Sequence, residues 1–386
     1  MLTGDNGILT RAGEAKENTE QSQLEEQKRL ASMEAATNLT ETVYNDGEKE
    51  IKIPSGYAPT GIEGENTVEK GLVITDSKGN EFVWVEVPND GTGPDYTGVE
   101  ENNNIDFLKI AKALAIYSSS TLSNNPTSLA DHLPPADKVG KDYTNEYKDV
   151  LKSIYQNGGF WVGRYETGIQ GTENATTSAR DFGNDYTTEH PTTGNVAVIK
   201  ENVQPYRWVR WAQAQTLAQG FLPTTNNSNH VNLLMGVQWD LVLKFLGKSG
   251  DTDSHEWGNY SDSVFNLKPG SYYAKCSNSN LSTTWKAYNE DEDGFVEASK
   301  KKELESGNGI LYTTGANTNQ NSKKNISDIA GNVWEWTIER TSNSSGPCSL
   351  RGGSYSDTGS DSPASNRIIG FTSFSNGRFG FRVSLY

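Results

Sequence analysis

Residues that bind transition metals or build disulfide frameworks are scarce in this chain of 386 residues, which has two cysteines and four histidines. Cys276 and Cys348 lack CxxC or metal-ligand spacing, and no two histidines stand four residues apart. The sequence therefore excludes a disulfide scaffold and argues against a histidine-based metal site. Spacing alone leaves open whether the two thiols pair with each other or stay free.

Positive charge and long apolar runs are also lacking. The chain has 34 Lys and Arg against 50 Asp and Glu, a formal net charge of −16. Nucleic acid and anionic membranes need a basic face, so this charge argues against both as partners. No run of 18 apolar residues is present, and no basic start precedes an apolar stretch. We therefore expect neither a membrane span nor a signal peptide in the chain as given.

Aromatic residues and glycine are abundant, by contrast. The hydrophobic fraction is only 33%, but 9 Trp, 17 Tyr and 12 Phe supply large, rigid area for a core. The 38 glycines, together with many Asn, Ser and Thr, favour long turns between short elements. The composition indicates a folded, loop-rich protein.

The residue pattern predicts a mixture of strands and helices. β-branched and aromatic runs separated by the polar turn 77–80 predict a hairpin over residues 72–85, and "GGFWVGRYETG" predicts another strand. Apolar residues at helical spacing predict helices within 105–117, 144–159, 212–221 and 231–250.

Residues 1–48 have a different texture, rich in Glu and Lys and poor in apolar residues. They predict a solvated helical stalk in front of a domain over residues 49–386. The opening "LTGDNGILTRAGEAKENTEQSQ" resembles the stretch after the hydrophobic N-terminal helix of type IV pilin-like proteins. The resemblance implies assembly into a pilus or pseudopilus through this helix, and in those proteins a membrane-spanning helix precedes the matching stretch.

Four later motifs occur in the order typical of one enzyme family. They are "FWVGRYETG", "PYRWVRWAQAQ", "LMGVQWDLVLKF" and finally "ISDIAGNVWEWT" with "RGGSY" and "GFRV". Together they resemble the sulfatase-modifying-factor family, which includes formylglycine-generating enzyme, over roughly residues 51–386. The resemblance implies an α+β, C-type-lectin-like fold of the formylglycine-generating-enzyme type.

The motif "DIAGNVWEW" combines apolar and acidic residues on one strand. Trp334 and Trp336 share a strand face, and two indoles on one face favour a place in the core. The carboxylates of Asp328 and Glu335 and the carbonyls of Gly331 and Val333 form an oxygen-only set that suits Ca²⁺, and relatives in the family carry calcium at the matching positions. The alternative is that Glu335 pairs with an arginine.

Arg351 and Arg382 flank the C-terminal segment, in "RGGS" and "GFR". A guanidinium that is framed by glycines and a packed strand can anchor nearby carbonyls or carboxylates, so we expect both arginines to be buried.

The resemblance also permits a test for catalysis. Formylglycine-generating enzymes hold copper on a cysteine pair just after Arg-Gly-Gly-Ser, and related sulfoxide synthases hold iron on a histidine triad. The matching positions here are about Asp357 and Ser362, and Cys348 precedes Arg351. Without a thiolate pair or a histidine triad, we expect neither copper nor iron and no catalytic residue.

Residues 355–379 contain no Lys, Glu, Gln, Met or Trp. The segment between Arg-Gly-Gly-Ser and Gly-Phe-Arg, residues 351–382, resembles the hypervariable stretch of proteins that diversity-generating retroelements modify. In those proteins, mutagenesis acts at the adenines of Asn codons, which have the form AAY. Randomising both adenines gives NNY codons, and these encode none of the five missing residues. The alternative is an ordinary polar loop.

The segment mixes aromatic with small polar residues, as antibody paratopes do. The predicted ligand contacts are Tyr355, Ser356, Asp357, Thr358, Ser360, Asp361, Asn366, Ile368, Phe371, Ser373, Phe374 and Asn376. We therefore predict a non-catalytic, surface-displayed or extracellular ligand-binding protein of adhesin or receptor type, whose ligand is a protein or a glycan. The alternatives are an oxidase of the formylglycine-generating type and a calcium-dependent glycan-binding lectin.

Overall fold

A computed structural model describes residues 4–88, 93–118, 126–174, 176–177, 195–222, 230–248, 252–276, 284–289, 309–317 and 323–386. The helices are α1 (Gly4–Thr37), α2 (Phe107–Leu114), α3 (Ala136–Val139), α4 (Thr144–Asn157), α5 (Trp211–Gln219) and α6 (Gly236–Phe245). Short 3₁₀ turns cover Ala115–Tyr117, Leu129–His132 and Lys323–Asn325. Within these ranges no helix has both the length and the apolar character that a bilayer crossing needs.

Nineteen short strands accompany the helices in the described ranges. They are β1 (Thr42–Asn45), β2 (Glu50–Ile53), β3 (Tyr57–Pro59), β4 (Val73–Asp76), β5 (Glu81–Glu86), β6 (Glu100–Glu101), β7 (Asn104–Ile105), β8 (Gly159–Gly163), β9 (Gly168–Ile169), β10 (Ala197–Val198), β11 (Val231–Leu233), β12 (Tyr272–Lys275), β13 (Trp285–Ala287), β14 (Ile310–Tyr312), β15 (Trp334–Arg340), β16 (Cys348–Arg351), β17 (Arg367–Gly370), β18 (Phe379–Phe381) and β19 (Val383–Leu385).

Two sheets dominate the architecture. The larger has six strands in the order β11-β19-β8-β5-β4-β3, and the smaller has four in the order β17-β16-β15-β18. Every pair in these sheets is antiparallel except β15 and β18, which run parallel. α4 packs on β8 and α6 on β15 and β5, so the helices cover the sheets and enclose a core. The predicted α+β class is confirmed.

The predicted hairpin and the predicted helix ends follow from local chemistry. β4 and β5 pair across a turn in which the Asp76 carboxylate accepts hydrogen bonds from the amides of Lys78 and Asn80. α4 ends at Gly158, whose φ of +76° is the left-handed conformation that glycine adopts without strain. The helix expected within 231–250 is shorter than predicted, because β11 pairs with β19 before α6 begins at Gly236.

The N-terminal stalk is one long helix whose last turns dock on the domain. Ala31 and Ala35 are buried where α1 lies against β3 and β4, and Lys28 pairs with Glu81 at 2.7 Å. Most of the side chains described between residues 13 and 30 are exposed. The predicted boundary at residue 48 falls in the turn between β1 and β2, which pair with each other.

Candidate functional site

The C-terminal segment leaves β16 through two glycines and returns to the same sheet. Gly352 and Gly353 have φ of +95° and +81°, and a Cβ on Gly353 would stand 2.4 Å from the Ser362 carbonyl oxygen. Both positions therefore require glycine. The chain then comes back as β17, antiparallel to β16, and ends at β18 beside β15.

Neighbouring scaffold loops hold the first half of the segment by its main chain. The Ser254 amide donates to the Gly359 carbonyl at 3.0 Å, and Ser254 Oγ accepts from the Ala364 amide at 3.0 Å. The Ser261 amide donates to the Asp357 carbonyl at 2.9 Å. On the segment's side these bonds use only backbone atoms, so they do not depend on which side chains the segment carries.

Large scaffold side chains also donate to carbonyls of the segment and of its glycine entry. Trp239 Nε1 donates to Ala364 O at 2.9 Å and Tyr260 Oη to Gly352 O at 2.7 Å. Arg207 reaches the carbonyl of Gly377 at 3.3 Å. All three donor residues are buried, so the segment lies on a packed and hydrogen-bonded platform.

Two of the predicted ligand contacts point inward, and the prediction is wrong for them. Tyr355 is fully buried in an apolar cluster with Trp285 and Val333, and burial raises the pKa of its phenol well above the usual value. Asn376 is buried as well, and its Oδ1 accepts from the Arg378 amide at 3.0 Å. Neither side chain is accessible to a ligand in this conformation.

Asp357 is partly exposed, but its carboxylate is engaged. Oδ2 accepts from the Trp334 indole at 2.9 Å, from the Ser354 amide at 3.0 Å and from the Ser354 hydroxyl at 2.6 Å. Asp357 therefore fastens the start of the segment to β15.

The other predicted contacts reach the surface to different degrees. Ser356, Thr358, Asn366 and Ile368 are half-buried, whereas Ser360, Asp361, Phe371, Ser373 and Phe374 are exposed. The sequence-based prediction missed Ile369, which is exposed and follows the predicted Ile368 in β17. Strand alternation could have signalled it, because residues 369 and 371 share one face if the chain stays extended.

An apolar patch marks the end of β17. Ile369, Phe371 and Phe374 are 44%, 38% and 41% exposed, and the two phenyl rings lie with centroids 5.3 Å apart. The Phe374 amide donates to the Phe371 carbonyl at 2.8 Å, so a tight turn sets the two rings beside each other. Both exposed phenylalanines of the described ranges lie in this patch. Clustered exposed aromatic side chains are typical of an interaction surface.

A buried ion-pair cluster lies beneath β17. Arg351 donates to Asp240 at 2.7 Å and to Glu339 at 2.9 Å, and Arg367 donates to the same two carboxylates, each at 2.6 Å at its shortest. Burial raises the pKa of Asp240, whereas the two guanidiniums outweigh burial at Glu339 and lower its pKa. Arg367, which we did not predict as a site residue, is the segment's own contribution to this cluster.

Glu335, one of the predicted calcium ligands, pairs with an arginine, which is the alternative that the sequence left open. Arg382 lies against Glu335, with Nη2 2.9 Å from Oε1 and Nε 3.1 Å from Oε2, and it also donates to the carbonyls of Ser327 and Gly163. A guanidinium therefore supplies the positive charge that calcium would bring. In the described part of the chain, no group of three or more His, Cys, Asp and Glu can hold a metal. The expected burial of Arg351 and Arg382 is confirmed.

Three buried carboxyl groups, those of Glu166, Asp328 and Glu335, lie near the single guanidinium of Arg382. Burial raises the pKa of Glu335 to about 7 even beside Arg382, and raises that of Asp328 to about 6. Burial, together with the charges of Asp328 and Glu335, raises the pKa of Glu166 well above its usual value. Burial therefore favours the protonated form of all three carboxyls more than it does for exposed carboxyls.

Cys276 and Cys348 are both buried and form no disulfide with each other. Cys348 lies in β16, and burial raises the pKa of its thiol well above the usual value. A buried, protonated thiol is a poor nucleophile and a poor metal ligand. Of the two positions expected to match the family's copper-binding cysteines, Asp357 fastens the segment and Ser362 is buried.

Comparison with known proteins gives one family and few individual matches. Residues 144–385 match the model of the sulfatase-modifying factor enzyme 1-like domain. No curated protein matches the chain. Among solved structures, Treponema denticola variable protein 1 is similar, with 14% identity over 59% of this chain and 84% of that protein and a TM-score of 0.30.

Proposed function

The chain belongs to the family of sulfatase-modifying factor enzyme 1-like domains, and from that premise we propose that it is a non-catalytic ligand-binding protein. Its contact surface consists of the exposed side chains of the segment 355–379, with the patch of Ile369, Phe371 and Phe374 at the centre. The observation that carries this proposal is that patch: three large apolar side chains exposed on a segment whose main chain is fixed from below.

The way the segment is held supports its diversification. A surface that changes its side chains between copies has to keep one backbone path, and hydrogen bonds to main-chain atoms do this for any residue. Ser254, Ser261 and Trp239 all bond to main-chain atoms of the segment. The absence of Lys, Glu, Gln, Met and Trp from residues 355–379 agrees with NNY codons.

The chemistry of the patch favours a protein ligand over a glycan. Rigid aromatic side chains give large contact area at low entropic cost, and small hydroxyls beside them give adaptable hydrogen bonds, as in paratopes. Phe371 and Phe374 have this role here, with the exposed Ser373 between them. Glycan binding through calcium lacks support, because Arg382 already neutralises Glu335.

Surface display belongs to the same proposal. Helix α1 precedes the domain, and a helix of 34 residues is about 51 Å long at 1.5 Å per residue. The resemblance of its first residues to pilin-like proteins supports anchoring in a pilus or pseudopilus at the cell surface.

A binding selection tests the contact surface. A displayed library that varies Ile369, Phe371, Ser373 and Phe374 should yield binders to an arbitrary soluble protein such as lysozyme. A matched library that varies the buried Tyr355, Asn376, Ser362 and Ala364 should lose surface expression instead. Equal loss of expression in the two libraries would overturn the proposal.

Deep sequencing tests the diversification separately. In a culture of the source organism, substitutions should concentrate at adenines within the codons for residues 355–379 and spare the codons for residues 330–350. An unchanged segment would remove the retroelement part of the proposal and leave the binding part to the selection experiment.

A further inference from the structure

A small cavity borders Glu339 of the ion-pair cluster, and the apolar residues Leu133, Met235 and Ile338 form part of its wall. Its lining includes His132, Tyr147, Gly236, Val237 and Glu339, and it offers about 10 Å³ to the centre of a water-sized molecule. That is about the space that one water molecule needs. Tyr147 is almost fully buried, and His132 is half-buried.

Two polar atoms at this cavity lack protein partners. Among the described residues, neither the Tyr147 hydroxyl nor His132 Nε2 has a hydrogen-bond partner, although both atoms are buried. A buried hydroxyl without a partner costs about 1–3 kcal/mol. Native proteins usually avoid that cost by placing an ordered water between such groups.

The charges around the cavity decide what can occupy it. Helix α6 begins at Gly236, which lines the cavity, so amides without intrahelical acceptors lie near it, and Arg351 and Arg367 both donate to Glu339. This positive side disfavours a cation. The Glu339 carboxylate disfavours an anion, and Asp131 and Glu339 are the acidic groups that act on His132. The available volume excludes any ligand larger than a water molecule.

We propose that the cavity binds a single structural water molecule, which connects Tyr147, His132 and Glu339. The water accepts a hydrogen bond from the Tyr147 hydroxyl and donates to His132 Nε2 and to a Glu339 oxygen. Each Glu339 oxygen already accepts from one arginine and keeps room for a further bond. The water thereby ties the turn Leu129–His132 and α4 to the carboxylate that holds Arg367 under β17.

Burial lowers the pKa of His132, so the ring is neutral at pH 7 and one of its nitrogens can accept a hydrogen bond. The Nδ1–H tautomer leaves Nε2 as that acceptor. All three groups then have a partner with compatible polarity.

The substitution Tyr147→Phe distinguishes a hydrated cavity from a dry one. If water is bound, loss of the hydroxyl removes a satisfied hydrogen bond, and the melting temperature should fall by about 2 °C. If the cavity is dry, the substitution removes a buried hydroxyl without a partner, and the melting temperature should stay or rise. Tyr260→Phe is the reference variant for the loss of a satisfied hydrogen bond. Tyr260 donates directly to Gly352 O at 2.7 Å, so loss of its hydroxyl must lower the melting temperature.

A high-resolution crystal structure of the unmodified chain gives the second readout. One ordered oxygen-sized peak within hydrogen-bond distance of Tyr147 Oη, His132 Nε2 and Glu339 is expected. Absence of density there would overturn the proposal, and so would an anomalous peak at this position after a bromide soak, which would identify an anion site.

Discussion

Arg367 donates to both carboxylate oxygens of the buried Asp240, at 2.7 and 2.6 Å, from within the segment proposed to vary. Arg351 alone would leave Asp240 and Glu339 with one positive charge between two negative ones. The segment is therefore not uniformly free to change. Position 367 has to supply a cation, or the buried carboxylates have to take up a proton.

The substitution Arg367→Gln should destabilise the fold by about 3 kcal/mol, because it removes one partner from a buried ion-pair cluster. Chemical denaturation of the variant and of Asn366→Ala, a neighbouring position whose side chain is partly exposed, measures the difference. Arg367→Lys should recover only part of the loss, since an amine cannot make the same forked contacts. A loss in Arg367→Gln no larger than in Asn366→Ala would show that the cluster does not need this arginine.

Exposed aromatic residues of the segment and buried aromatic residues should differ in the stability that truncation costs. Phe374→Ala removes an exposed ring and should change the free energy of unfolding by within about 0.5 kcal/mol. Tyr355→Ala and Trp336→Ala empty fully buried sites and should each cost about 3–5 kcal/mol. Urea denaturation of the three variants measures this. If Phe374→Ala costs as much as Tyr355→Ala, the apolar patch is part of the core.

Calcium should not stabilise the protein, because the Arg382 guanidinium already lies against Glu335. We expect calcium or a chelator to leave the melting temperature unchanged, since a metal that does not bind the folded state does not shift the folding equilibrium. Arg382→Gln provides the matched variant, in which the uncompensated Glu335 and Asp328 become a better cation site. A rise in the melting temperature of the unmodified chain on adding calcium, absent in Glu335→Gln, would restore the calcium assignment.

The sequence motifs identify the family, and the match over residues 144–385 confirms that identification. The buried indoles of Trp334 and Trp336 are confirmed too, because alternation along one strand is a local signal that does not need the rest of the fold. The pilin-like start and the retroelement origin stay predictions.

The orientation of side chains within the C-terminal segment could not be predicted in the same way. Composition distinguishes the segment 355–379 from the rest of the chain. Its first half follows an irregular path, however, and has no strand or helix periodicity from which the burial of Tyr355 could be predicted. The partners of Arg367 lie 127 and 28 residues away in sequence, at Asp240 and Glu339, so the cluster appears only after the chain has folded. The local alternation of residues predicts which side chains are buried on a strand. It does not predict burial that depends on contacts between residues far apart in the sequence.

The shared burial of Glu166, Asp328 and Glu335 predicts a specific pH dependence. Burial raises the pKa of Glu166 well above the 4.5 of an exposed glutamate, and its Oε2 has no hydrogen-bond partner among the described residues. A carboxyl whose pKa is raised by folding is protonated more readily in the folded state. Its contribution to stability is therefore fully present below about pH 4.5 and is lost as the pH rises towards the folded-state pKa.

Glu166→Gln removes the charge and keeps the oxygen that accepts from Asn332. We expect the stability of the variant relative to the unmodified chain to rise from pH 5 to pH 8. Over this range only the unmodified chain has to ionise a buried carboxyl, which costs free energy. Melting temperatures of both proteins at the two pH values give the difference, with Glu17→Gln on the exposed face of α1 as control. A constant difference between Glu166→Gln and the unmodified chain across this range would show that Glu166 does not carry the raised pKa, and the excess protons would then have to reside on Asp328 and Glu335.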